Sequence, residues 1–306
     1  MKKALALLTA CLLILLAGCA LFDGGTDGTA APTGSTPTAI FKSDEAIPKI
    51  DGSTALIPFA QELLKRTASY STDAATSVTD AFTRTVGAYY NLAYADTSSE
   101  DYQSTILLVY EKPESAEYET PLEFYPIGVD ALVFLANAKN PLENLKTQEI
   151  QDIYTGKITN WSKLGGKDKE IVAFQRNQGS GSQNLMEKLV MKGAAMAEAP
   201  SQLVPAAMAG LVDGLASYDN SADALGYSVY YYAKNMYALP DLKFLSVDGV
   251  APANDTISSG QYPLTNDFYA VIRKDEPKNS PARKLLAWIK SDAGKECLTD
   301  TGYVAK

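Results

Sequence analysis

From Ile47 onward, short β-rich runs alternate with segments whose apolar residues recur at spacings of three and four, and this alternation restricts the fold most. Strands are expected at 104–110, 131–137, 170–174, 225–229 and 267–273. Helical faces are read from Leu56, Phe59, Ala60, Leu63 and Leu64, from Leu185, Met186, Leu189 and Val190, and across 282–298. Such a chain buries its strands beneath helices, which gives an α/β architecture with largely parallel strands and no internal repeat. Its 306 residues suffice for two lobes of about 150 each or one large domain.

Two strand-to-helix junctions are rich in small and hydroxylated residues. The first is Asp51-Gly52-Ser53-Thr54, before an amphipathic run to Arg66 in which Pro58 suits the first turn. The second is Arg176-Asn177-Gln178-Gly179-Ser180-Gly181-Ser182, after the strand ending at Phe174. Both suit an anion: glycine lets the backbone come close, hydroxyls donate, and the first helical N–H groups carry partial positive charge. Arg176 adds a planar fork matched to an oxyanion. Taken singly, each junction also fits a plain helix N-cap; two of them favour one shared ligand.

The chain contains no histidine. Ser-His-Asp and Cys-His nucleophile systems and HExxH zinc sites are therefore excluded. There is no GxxxxGK[ST] loop, GxSxG elbow or SxxK pair, and no compact Asp/Glu cluster to hold a metal, so no catalysis, cofactor or metal is expected. A formal charge of −9 argues against nucleic acid as a partner. Three further features have plain explanations. Cys297 reads as a small buried hydrophobe, Trp161 as a turn-packing aromatic, and Tyr230–Tyr232 as packing at a strand end or on a lobe surface.

The N-terminus opens on Lys2 and Lys3, continues as an apolar run from Ala4 to Ala17, and closes on Gly18 and Cys19. This is the pattern of a secretory signal over 1–18, too short for a membrane span. Leu16-Ala17-Gly18-Cys19 resembles the bacterial lipobox, which implies cleavage before Cys19, a lipid on its sulfur and attachment to the outer face of the bacterial membrane. Residues 23–39 hold no large apolar side chain, so 19–45 is expected to be a flexible tether with a reach on the order of 30 Å.

At Arg176-x-x-x-Ser180-Gly181-Ser182 the sequence resembles the phosphate-binding subunits of ABC phosphate importers, the PstS family. The likeness extends through Glu149–Trp161, Leu225-Gly226-Tyr227-Ser228 and Tyr262-Pro263-Leu264-Thr265. It implies a type II periplasmic-binding-protein fold with two α/β lobes of mixed, mostly parallel sheets, a hinge of two crossover strands and a ligand cleft between. Lobe one would be 46–127 plus 245–306, and lobe two 128–244. It further implies a monomer that binds inorganic phosphate and delivers it to an ABC permease and ATPase. Ser53, Thr54, Arg176, Ser180, Gly181 and Ser182 match the family's ligand loops. Thr85, in Thr83-Arg84-Thr85-Val86-Gly87, is the nearest match to a further hydroxyl, although the family's Ser-Gly-Gly is missing. The family's Asp, which accepts a hydrogen bond from protonated phosphate and repels sulfate, has its nearest position here at Glu111. Glu is longer, so either the cleft geometry differs or another acid, such as Asp51 or Asp130, takes the role. Sulfate, molybdate or a related oxyanion is the alternative ligand, and a metal-dependent phosphohydrolase the more distant one.

Overall fold

A computed structural model describes residues 39–42, 45–112, 120–217 and 221–306. The expected signal segment, Cys19 and most of the tether lie outside the described residues. The strands are β1 (Lys49–Gly52), β2 (Thr105–Val109), β3 (Leu122–Asn137), β4 (Asn144–Leu145), β5 (Val172–Ala173), β6 (Ala224–Val229), β7 (Leu242–Val247), β8 (Thr265–Arg273) and β9 (Val304–Ala305). The helices are α1 (Ile57–Ala68), α2 (Thr72–Asp80), α3 (Arg84–Ala93), α4 (Thr147–Tyr154), α5 (Gly181–Met186), α6 (Met208–Ser217), α7 (Asn254–Ser258), α8 (Pro281–Ile289) and α9 (Asp292–Asp300).

The 16-residue β3 is the spine. Its first part, Leu122 to Ala131, pairs antiparallel with β8, and β2 and β1 extend that side. From Leu132 to Asn137 it pairs instead with β6 and β7, and β5 lies beyond β6. The strand thus changes partners between Ala131 and Leu132. The sheets are mixed, as expected, but not mostly parallel. Among the described residues only β1–β2, β4–β7 and β5–β6 run parallel, while β6, β7, β8 and β9 all meet the spine antiparallel and β2 meets β8 antiparallel.

Leu132, Val133, Phe134 and Ala136 are fully buried, so this stretch of β3 is covered on both faces. Each large apolar side chain buried there stabilises the fold by roughly 1.5–3 kcal/mol. Helix α1 lays Phe59, Ala60, Leu63 and Leu64 into the core, the face read from its spacing. Gly226 lets α6 approach β6: a β-carbon there would lie 2.6 Å from Leu215 Cδ1.

The helical pattern across 282–298 is two helices, not one. Ser291 caps α9 by accepting from the Gly294 N–H at 3.4 Å, and a β-carbon on Gly294 would lie 2.3 Å from the Ile289 carbonyl oxygen. Periodicity survives such a break because both helices bury the same side. Trp161 is buried and its Nε1 donates to the Asp223 carbonyl at 2.9 Å, which fits turn packing. Cys297 is buried, and burial pushes its thiol up to about 12. Among the described residues no helix is long and apolar enough to cross a membrane.

Candidate functional site

The two junctions meet. A cavity of about 520 Å³ is lined by Ser53 and Thr54 from the first, by Arg176 to Ser182 from the second, and by Thr83 to Gly87 at the start of α3. Tyr110, Tyr232, Val229 and a short alanine run near 206 complete the wall. Residues far apart in the chain therefore converge where β1, β2 and the α5 loop end.

The first wall is built from β1. Gly52 stands at φ +149°, and a β-carbon there would fall 1.9 Å from the Leu108 carbonyl oxygen, so only glycine lets β1 end this close to β2. Ser53, next along, is buried. Its Oγ lies 2.8 Å from Thr85 Oγ1 and accepts from the Tyr110 N–H at 3.2 Å. Asp51 secures the neighbouring loop from behind: its carboxylate accepts from the Gly52 N–H and Thr83 N–H, each at 2.7 Å, and from the Thr83 hydroxyl at 2.6 Å. Thr85 is thereby fixed against Ser53 although 32 positions separate them.

The second wall is set by Arg176, which is buried. Its backbone N–H donates to the Tyr227 hydroxyl at 3.0 Å, and that hydroxyl donates to Gln183. Its guanidinium donates through Nε to the Pro205 carbonyl at 3.2 Å, through Nη2 to the Ala206 carbonyl at 3.3 Å and through Nη1 to Ser182 Oγ at 3.3 Å. Burial draws this guanidinium below the ordinary arginine range, and the nearby charge of Arg84 adds to the effect. A group this basic keeps its proton, so the site presents a buried positive charge.

Local geometry distinguishes a ligand cradle from a plain helix cap. Ser180 has the extended backbone of an N-cap, φ −81° and ψ 141°, yet its side chain makes no capping bond. Its Oγ is buried without a hydrogen-bond partner, as is Asn177 Oδ1 in the same loop. Ser53 likewise makes no side-chain cap to the turn it precedes. Such orphaned groups cost about 1–3 kcal/mol each unless something outside the chain satisfies them.

Of the residues read from sequence, Ser53, Thr54, Thr85, Arg176, Ser180, Gly181 and Ser182 share this one cavity. Glu111 does not line it. Its carboxylate accepts from Asn184 Nδ2 at 2.6 Å and its carbonyl from the Tyr89 hydroxyl at 2.5 Å. Asp130 is buried behind Tyr110, accepting from the Tyr110 hydroxyl at 2.7 Å and the Ala131 N–H at 2.8 Å. The acids considered as proton acceptors are thus occupied by protein donors. Cys19 lies outside the described residues. Sequence reasoning passed over Asn177 and Arg84, which line the cavity, and Tyr227, which holds the Arg176 backbone from 51 positions away. For Arg84 a signal existed: it stands inside the very segment that departs from the expected Ser-Gly-Gly.

A PBP superfamily domain matches residues 31–293. The phosphate-binding protein PstS of Bacillus subtilis is 29% identical over 178 residues, 57% of this chain, and the match spans only 55% of that relative's length. The phosphate-binding protein PstS of Borreliella burgdorferi is 24% identical over 276 residues, 86% of this chain and 91% of the relative. Among solved structures, a phosphate-bound putative phosphate ABC transporter substrate-binding protein from Clostridium perfringens aligns with a TM-score of 0.65 at 21% identity, covering 85% of this chain and all of that one. An ABC-type phosphate transport receptor from Vibrio cholerae aligns at 0.62 and 21%, covering 85% and 99%. The spine strand, the paired loops and the cavity between them are thus arranged on a shared fold, and this chain belongs to the PBP superfamily.

Proposed function

We propose that this chain is the solute-binding protein of an ABC importer and captures inorganic phosphate in the cavity between its two loops. One observation carries the reading: Ser180 occupies a cap position, leaves the cap unmade and keeps a buried hydroxyl without a partner on the cavity wall. A tetrahedral oxyanion supplies acceptors for that hydroxyl, for Ser53, Thr54, Thr85 and Ser182, for the backbone at Gly181 and for the Arg176 fork. The phosphate-binding names of the relatives support the same ligand.

In this reading the lobes are 46–127 with 245–306, and 128–244. The first boundary falls a few residues before β3 passes from β8 to β6, and the second falls inside β7, which pairs with the second half of β3. The lipobox-like residues before Cys19 support a lipid anchor there, with the folded part tethered at the outer membrane face as a monomer that delivers phosphate to a permease and ATPase. The acceptor-rich ligand and donor-rich wall require no bond-making chemistry.

Calorimetric titration of the full chain with phosphate tests the reading. The wild type should bind at micromolar affinity or better, about −8 kcal/mol. Arg176→Ala should weaken binding at least about 100-fold and Ser180→Ala about 10-fold, as expected for charged and neutral hydrogen bonds lost. An Arg176→Ala chain that binds phosphate as tightly as the wild type would sink the assignment.

A further inference from the structure

Two guanidiniums, Arg176 and Arg84, line the cavity, and no carboxylate lines it among the described residues. The nearby acids face elsewhere. Asp51 is taken up by Gly52 and Thr83, Asp130 by Tyr110, Ala131 and the Tyr231 N–H, and Glu111 accepts from Asn184. A carboxylate on the wall would accept a hydrogen bond from the hydroxyl of a protonated phosphate and repel a fully ionised oxyanion. Nothing on this wall does so. The buried acceptor without a partner is instead Asn177 Oδ1, part of a neutral amide. An amide can accept through oxygen or donate through nitrogen, so it penalises neither form of a ligand.

Arg84 is the second observation. It opens α3 with φ at +67°, the left-handed region where glycine is at ease and a long L side chain is disfavoured. The chain thus holds a conformation suited to glycine while keeping an exposed guanidinium beside the cavity. Two like charges near one another repel, and a dianion between them reverses the sign of that interaction.

We propose that Arg84 is a second anion-holding guanidinium of this cleft, and that the site selects a tetrahedral oxyanion by charge and shape without reading a ligand proton, so that sulfate competes with phosphate. The inference rests on the phosphate reading above and makes a demand of its own.

Competition calorimetry on the full chain separates the two. Sulfate should displace phosphate with an affinity within about 10-fold of it. Arg84→Gly should weaken both anions about 10-fold or more, while the anion-free melting temperature stays level or rises, because glycine accepts the backbone angle freely. Arg84→Lys, which keeps charge but loses the fork, should fall between. Wild-type phosphate binding that roughly thousand-fold excess sulfate leaves untouched would overturn the inference and spare the phosphate reading. Arg84→Gly binding as tightly as the wild type would do the same, as would a lower melting temperature, which marks Arg84 as structural. A wild type that binds no phosphate would remove the parent reading, and this inference with it.

Discussion

Two buried carboxylates behind the cavity wall do different work. Asp51 is saturated by short bonds from Gly52 and Thr83, and its task is to hold the Thr83–Thr85 loop against Ser53. Asp130 is desolvated, and burial pushes its carboxyl up to about 6, against hydrogen bonds from Tyr110, Ala131 and Tyr231 that favour the ionised form. Folding therefore favours its protonated form. Its contribution to stability is fully present below about pH 4 and is lost as pH rises through about 6. Asp130→Asn removes that dependence. Urea unfolding between about pH 4 and pH 7 should show the variant gaining on the wild type by about 2 kcal/mol over that range. A difference that stays flat with pH would contradict the assignment. At this scale the sequence was legible where chemistry is local. Arg176, Ser180 and Ser182 lie within seven residues, whereas the Asp51–Thr83 and Arg176–Tyr227 contacts depend on folding and leave no trace in spacing.

Helix α3 carries Thr85 and Arg84 into the cavity, and its far end is held by a residue from another element. Arg273, buried on β8, donates through Nη1 to the carbonyls of Leu92 and Ala93, each at 3.1 Å, and of Ala95 at 3.4 Å. Asp275 holds the rest of the guanidinium through Nε and Nη2 at 2.8 Å each. A cation capping the last carbonyls is favourable both as a hydrogen-bond donor and for the helix dipole. Arg273→Met should cost about 2–4 kcal/mol in chemical unfolding, by leaving these carbonyls unsatisfied. It should also weaken phosphate binding several-fold through the looser α3, with the ligand loops themselves intact. Unchanged stability would show that α3 needs no such clamp. Helix faces such as that of α1 were legible because burial repeats with the helical period, and the strands at 105–109 and 265–273 because β-branched and aromatic residues concentrate there. The first half of β3 was not: Glu123, Tyr125 and Pro126 break the apolar pattern, since that stretch is only partly buried. The predominance of antiparallel pairing was also hidden, because strand direction depends on partners that composition does not name.

Across the whole folded unit, hydrogen bonds tie the α5 region to the β2 and β8 side of the molecule. Asn184 on α5 donates to Glu111 beyond β2 at 2.6 Å, and Lys188 donates to Asn266 on β8 at 3.0 Å. A β-carbon added to Gly181 would lie 3.6 Å from Thr85 Oγ1, so the two loops stand in near contact. This arrangement suits a cleft that holds a small ligand among many short donors and excludes water around it. Closure of this kind is the expected motion of two lobes joined by a continuous strand. The expectation of a discontinuous lobe rests on family resemblance, because nothing in local pattern reports that β8 returns to the sheet of β1 and β2. The most direct measurement is the crystal structure of the full chain grown with phosphate. The account predicts one phosphate in the cavity, with its oxygens hydrogen-bonded to Arg176, Ser180 Oγ and at least one of Ser53 and Thr85. A phosphate bound elsewhere, with the Ser180 hydroxyl still lacking a partner, would contradict it.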